Sequence, residues 1–130
     1  MPTELEQLIH LAKARNELDC EGIVQILSDD ITYEAQDIRN PIVGKRAVGD
    51  YLRERFKFIT SLDSNIDRGL FKVAEIDKTT RTTRLCLAFI LKDEIKALWL
   101  VSFDETKQIN RIFINTMYPD PKTARIIEIN

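Results

Sequence analysis

The sequence predicts a single α+β domain in which three N-terminal helices pack on a curved, mainly antiparallel sheet. Two observations carry this. Apolar residues recur at helical spacing as far as Ile59, interrupted by one alternating stretch. From Asn65 onward four apolar stretches follow one another, separated by short polar turns. Helices gathered first and strands last place the helices on one face of the sheet.

The elements follow in order. Thr3 and Glu6 have the capping-box spacing, and Leu5, Leu8, Ile9 and Ala12 then recur at helical intervals, with Leu11 and Ala14 widening the face; this predicts a helix over 4–17. Asp19 is the N-cap of a second helix that buries Ile23, Val24, Ile26 and Leu27 and stops at Ser28-Asp29-Asp30. Ile31, Tyr33 and Ala35 alternate with Thr32, Glu34 and Gln36, the pattern of a half-buried strand. Residues 37–43 read as a loop around Asn40-Pro41. A third helix from about Gly44 to Ile59 presents Val48, Leu52, Phe56 and Ile59, with Gly49 suited to a close approach. The strands are 70–76, 82–91, 95–103 and 109–117, an antiparallel meander. The tail, 119–130, has a candidate short strand at Arg125-Ile126-Ile127.

At 130 residues the chain is one domain, 1–130, able to bury roughly two-thirds of its unfolded surface. A net charge of −2 supplies no basic excess for phosphates, so no nucleic-acid partner is expected. Two remote cysteines, Cys20 and Cys86, make no disulfide framework and read as small packed groups. Neither a signal peptide nor an apolar run of the roughly 18 residues a membrane helix needs is present, so a soluble, cytoplasmic protein without membrane contact is expected.

The strands have two apolar faces. Leu85, Leu87 and Phe89 oppose Cys86, Ala88 and Ile90, and Trp99 and Val101 oppose Leu98 and Leu100. Three helices cover only one face, so the other needs a cover, most simply a second copy. A homodimer through the outer face of the sheet is expected.

The order of elements, helix-helix-strand-helix and then a long meander, resembles the NTF2-like cone fold. The stretch from Glu21 through Leu27 to Glu34 is similar to the helix-to-strand passage of ketosteroid isomerases and SnoaL-like proteins. Gly44-Lys45-Arg46-Ala47-Val48 resembles the start of their third helix, and Phe103-Asp104-Glu105 the turn before their last strand. The resemblance spans most of residues 4–117 and implies an NTF2-like, cystatin-like cone. It is weakly specific for function, since this fold hosts isomerases, cyclases, hydratases and binding proteins. Ketosteroid isomerase uses an Asp base with an oxyanion hole of Tyr and protonated Asp. In ungapped register those three roles fall on Leu11, Ala35 and Trp99, none of which can move a proton. The resemblance therefore implies a cone without ketosteroid isomerase catalysis.

It also implies which side chains would face the cone interior: Leu11, Tyr33, Ala35, Phe89, Trp99, Val101, Ile112 and Ile114. Such a cavity would be mostly apolar, with a phenol and an indole N–H as polar handles, the make-up of a small-molecule site. The same residues would equally fill a closed core. Tyr33, Asp37 and His10 are the weak catalytic candidates. His10 is the sole histidine, beside the apolar stripe of the first helix and also readable as a surface residue. Asp37 and Arg39 follow the first strand at the expected mouth, where an ordinary loop ion pair is the plainer reading. One of Asn115 and Thr116 should face the cavity. One histidine and two remote cysteines supply no zinc site, and no phosphate-binding glycine loop is present, so no metal and no cofactor are expected. Three functional readings remain: a protein binding a small apolar or aromatic molecule; a SnoaL-like cyclase, isomerase or hydratase acting on a hydrophobic substrate; and a non-catalytic dimerisation or interaction module.

Overall fold

The computed structural model describes residues 2–36, 40–63, 65–79, 82–116 and 120–128. Three helices, α1 (Glu4–Asn16), α2 (Cys20–Val24) and α3 (Lys45–Ser61), lie on one face of an open seven-stranded sheet. Its strands are β1 (Leu27–Ala35), β2 (Ile42–Val43), β3 (Leu70–Thr79), β4 (Thr82–Leu91), β5 (Glu94–Phe103), β6 (Ile109–Asn115) and β7 (Arg125–Ile126), in the order β2-β1-β6-β5-β4-β3-β7. Among the described residues only the β1–β6 pair is parallel. This is the predicted α+β cone: the meander is continuous, and β1 enters beside its last strand.

Local signals set the helices. The Thr3 hydroxyl accepts from the Glu6 N–H at 3.1 Å while the Glu6 carboxylate accepts from the Thr3 N–H at 3.2 Å, satisfying two donors that the helix cannot. Two amide side chains then fasten α1 across the sheet. Gln7 donates to the Lys107 carbonyl at 2.9 Å, and Asn16 both donates to the Phe71 carbonyl at 2.9 Å and accepts from the Phe71 N–H at 2.7 Å. The buried stripe runs through Leu8, Leu11 and Ala12, leaving Leu5 exposed.

The second helix is shorter than its apolar spacing suggests. It ends at Val24, and Leu27 already begins β1, so Ser28, Asp29 and Asp30 are strand residues. Short polar side chains compete for backbone hydrogen bonds and disfavour continued helix; the Ser28 hydroxyl donates to Asp30 at 2.7 Å. The register with β6 is irregular here, with Leu27 opposite Ile109 and Thr32 opposite Arg111. Gly44 precedes α3 at φ +100°, a conformation that favours glycine, and its N–H donates to the Ile31 carbonyl at 2.8 Å. At Gly49 the close approach is to α2 rather than to the sheet, because a Cβ there would stand 3.3 Å from Val24. Ile42–Val43, expected as loop, adds a two-residue rung to β1.

The two faces of the meander carry two cores. Leu87, Trp99, Val101 and Ile112 pack beneath the helices; Ala74, Ile76, Cys86, Ala88 and Leu98 form a second cluster on the other face. The tail contributes to that second cluster. After a short 3₁₀ turn at Pro121–Thr123, Ala124 packs into it and β7 pairs with the edge of β3, Ile126 opposite Ala74. Part of the outer face is therefore covered within the chain. Both cysteines are free thiols; burial pushes the Cys86 thiol up to about 11, the nearby Arg84 guanidinium opposing it. Among the described residues no helix is long and apolar enough to cross a membrane.

Candidate functional site

Sheet register brings the inward-facing side chains into rows. Ala35 lies opposite Ile114, Ile114 opposite Trp99, Trp99 opposite Leu87 and Leu87 opposite Val73. The flanking row is Ala97, Phe89 and Phe71; on the other side, Tyr33, Ile112 and Val101 form the next. A cavity of about 300 Å³ stands over the first two rows, roofed by the last turn of α1 and the middle of α3. Leu8 and Leu11, both fully buried, pack in the same core cluster as the third row.

Aromatic rings make most of the wall. Trp99 meets Phe71 edge-on with centroids 4.9 Å apart and Tyr33 at 6.1 Å; Phe71 also contacts Phe89 at 5.0 Å, and Tyr33 contacts Tyr51 of α3 at 5.2 Å. Tilted and edge-to-face pairs of this kind add roughly 0.5–1.5 kcal/mol each beyond area burial, so these rings hold one another in place.

The polar lining is cationic and amide. Arg15, in the last turn of α1, places its guanidinium 4.9 Å from the Phe71 centroid and 5.1 Å from that of Phe56. Burial pushes its pKa below the ordinary arginine range; Tyr33 acts the other way and the neighbouring Arg55 adds to the lowering. It remains a cation at neutral pH. Arg55 lines the same cavity from α3. At the far end Gln36 joins the strand ends: it donates to Asn115 at 2.9 Å and accepts from both the N–H and the hydroxyl of Thr116 at 2.9 Å. No aspartate, glutamate or histidine is among the described lining residues.

Of the residues expected in the cone, Tyr33, Ala35, Phe89, Trp99 and Ile114 line this cavity. Leu11, Val101 and Ile112 lie in the packed core beyond it. His10 is elsewhere: its Nε2 is 2.8 Å from the Gly22 carbonyl, which makes that nitrogen the protonated donor, and it links α1 to α2. Asp37 and Arg39 lie outside the described residues. Thr116 reaches the cavity, whereas Asn115 is fully buried and pairs with Leu98 of the outer-face cluster. Asp29 and Asp30 are exposed, and among the described residues no three His, Cys, Asp or Glu side chains stand together as a metal site.

Arg15, Arg55, Tyr51 and Phe71 were not singled out from the sequence, and Phe56 was read as helix stripe rather than as cavity wall. A signal was there: Arg15 follows Leu8 and Leu11 at intervals of seven and four, and Arg55 follows Val48 and Leu52 at seven and three. That spacing puts both arginines beside the packed face of their helices, where Arg15 is half-buried and Arg55 exposed.

No protein-family model matches the chain, and no curated protein matches it in sequence. Solved structures do match in fold. A SnoaL-like protein of unknown function from Burkholderia thailandensis aligns over 86% of this chain and 92% of its own at TM-score 0.63 and 16% identity. A steroid delta-isomerase from Pseudomonas aeruginosa aligns over 91% and 82% at TM-score 0.59 and 13% identity. An epoxide hydrolase/cyclase-like enzyme with a role in pyran ring formation in the polyether salinomycin aligns over 95% of both chains at TM-score 0.59 and 11% identity. The chain therefore shares its fold with SnoaL-like, steroid-isomerase and cystatin-fold proteins.

Proposed function

We propose that the chain binds a small apolar or aromatic molecule in the cone cavity. The observation that carries this reading is the wall of Tyr33, Phe71, Phe89 and Trp99 around about 300 Å³, a volume at the lower end of small-molecule sites. A SnoaL-like cyclase, isomerase or hydratase is the second reading, favoured by the likeness to a cyclase-like enzyme. It needs an acid or base at the substrate, and among the described lining residues the Tyr33 and Tyr51 phenols are the groups nearest that role, with no carboxylate or imidazole beside them. Binding without turnover therefore fits better. An interaction module with a filled core fits least, because it leaves the cavity without a purpose.

The chain is further proposed to act as a cytoplasmic homodimer. Two free thiols suit a reducing compartment. Beside the stretch associated with the tail, Leu100 and Phe113 lie opposite one another on the outer face, both half-buried, available to a second copy.

Native mass spectrometry tests both statements. The expected result is a dimer carrying an extra small mass that is lost under denaturing conditions, or that returns when an apolar aromatic is added. A monomer at tens of micromolar removes the dimer; failure of every added aromatic to bind removes the ligand reading.

A further inference from the structure

Arg15 has an unusual environment for a half-buried cation. The rings of Phe56 and Phe71, at 5.1 and 4.9 Å, offer it electron density but no lone pair. None of the seven ion pairs among the described residues includes Arg15 or Arg55, and no described side chain or carbonyl accepts from either guanidinium. Both line the cavity, in a chain whose net charge is −2, so the positive charge is local to the site. Arg15 is the desolvated cation of the two; Arg55 is exposed, 5.9 Å from the Phe58 centroid, and with no described carboxylate paired to either, an incoming anion relieves their repulsion and the desolvation of Arg15.

The position of Arg15 is also fixed. Asn16, next in the chain, clamps both backbone groups of Phe71, at 2.7 and 2.9 Å. That clamp holds the last turn of α1 against the start of β3, where the guanidinium meets Phe71. A preorganised fork of donors above aromatic walls matches a planar carboxylate attached to an aromatic body. With about 300 Å³ in all, a compact one-charge head group and a body of one or two rings fill the space.

We propose that the cavity selects an aromatic or apolar carboxylate, with Arg15 taking the carboxylate, Arg55 supporting it from α3, and the Trp99 and Phe71 rings holding the body. This rests on the reading of the cavity as a ligand site and adds the charge of the ligand.

Isothermal titration calorimetry with 2-naphthoate and 2-naphthylmethanol, two probes with one aromatic body and different heads, tests it. Wild-type protein is expected to bind the acid at least about thirtyfold more tightly than the alcohol, the range of a charge-assisted hydrogen-bond pair. In Arg15→Met the two affinities should converge to within about threefold. If Arg15→Met fails to fold, Arg15→Lys, which keeps the charge but not the fork, should lose about tenfold for the acid alone; affinity unchanged from wild type overturns the role of Arg15. Wild-type binding of both probes with equal affinity overturns the charge selection and leaves the ligand reading standing. Failure of both probes overturns the two together.

Discussion

Replacing Leu11 by alanine lowers the unfolding free energy by about 2–5 kcal/mol, the range for truncating a fully buried leucine. Leu11 has 0% exposure and sits in the helix-side cluster with Leu8, Ile23, Ile31, Val101 and Ile112. Family register would make it a cavity residue; the structure packs it in the helix-side core and leaves it out of the cavity lining. Urea unfolding distinguishes the two. The expected result is a large loss of stability, with an apparent Tm roughly 10 °C lower, and aromatic-ligand affinity largely retained. A loss below about 1 kcal/mol together with abolished binding would mean that Leu11 faces the ligand.

Replacing Ala35 by tryptophan abolishes ligand uptake, by about a hundredfold or more, and leaves the fold in place. Ala35 lies opposite Ile114 at the end of β1 and lines the cavity. An indole introduced there projects into the space a ligand would fill. Overpacking costs about 1–3 kcal/mol, which the neighbouring void moderates. Circular dichroism reads the fold and calorimetry with 2-naphthoate reads the binding. Affinity within threefold of wild type in a folded variant would place the ligand elsewhere on the molecule.

The fold was legible because its signals are local. The capping box at Thr3 and Glu6, the N-cap at Asp19 and the two-face alternation in 82–91 and 95–103 each act within a few residues and recur in the structure where the spacing puts them. The end of α2 was not legible, because Ile26 and Leu27 continue a helical apolar pattern while pairing with β6 decides in favour of strand: the Ile26 carbonyl accepts from the Ile109 N–H at 2.9 Å. Nor was the packing of the tail, since a contact between Ala124 and the Cys86 face depends on chain path rather than on periodicity.

Part of the cavity lining was legible. Tyr33, Ala35, Phe89, Trp99 and Ile114 follow from strand alternation once the inward face is known. Arg15 does not, because a charged residue at a helical stripe reads as the wet side until neighbouring elements are shown to half-bury it, and Arg55 lines the cavity while staying exposed. The arginines give the cavity a chemistry that a purely apolar reading lacks. How far α1 extends over the sheet, set by Gln7 at one end and Asn16 at the other, decides that Arg15 rather than Leu11 meets the open space.

The most direct test of the central claim is a crystal structure of the protein with 2-naphthoate. The naphthalene is predicted to lie against Trp99 and Phe71, with a carboxylate oxygen about 2.7–2.9 Å from an Arg15 nitrogen. A cavity closed by its own side chains, or naphthoate bound only at the surface, would contradict the account.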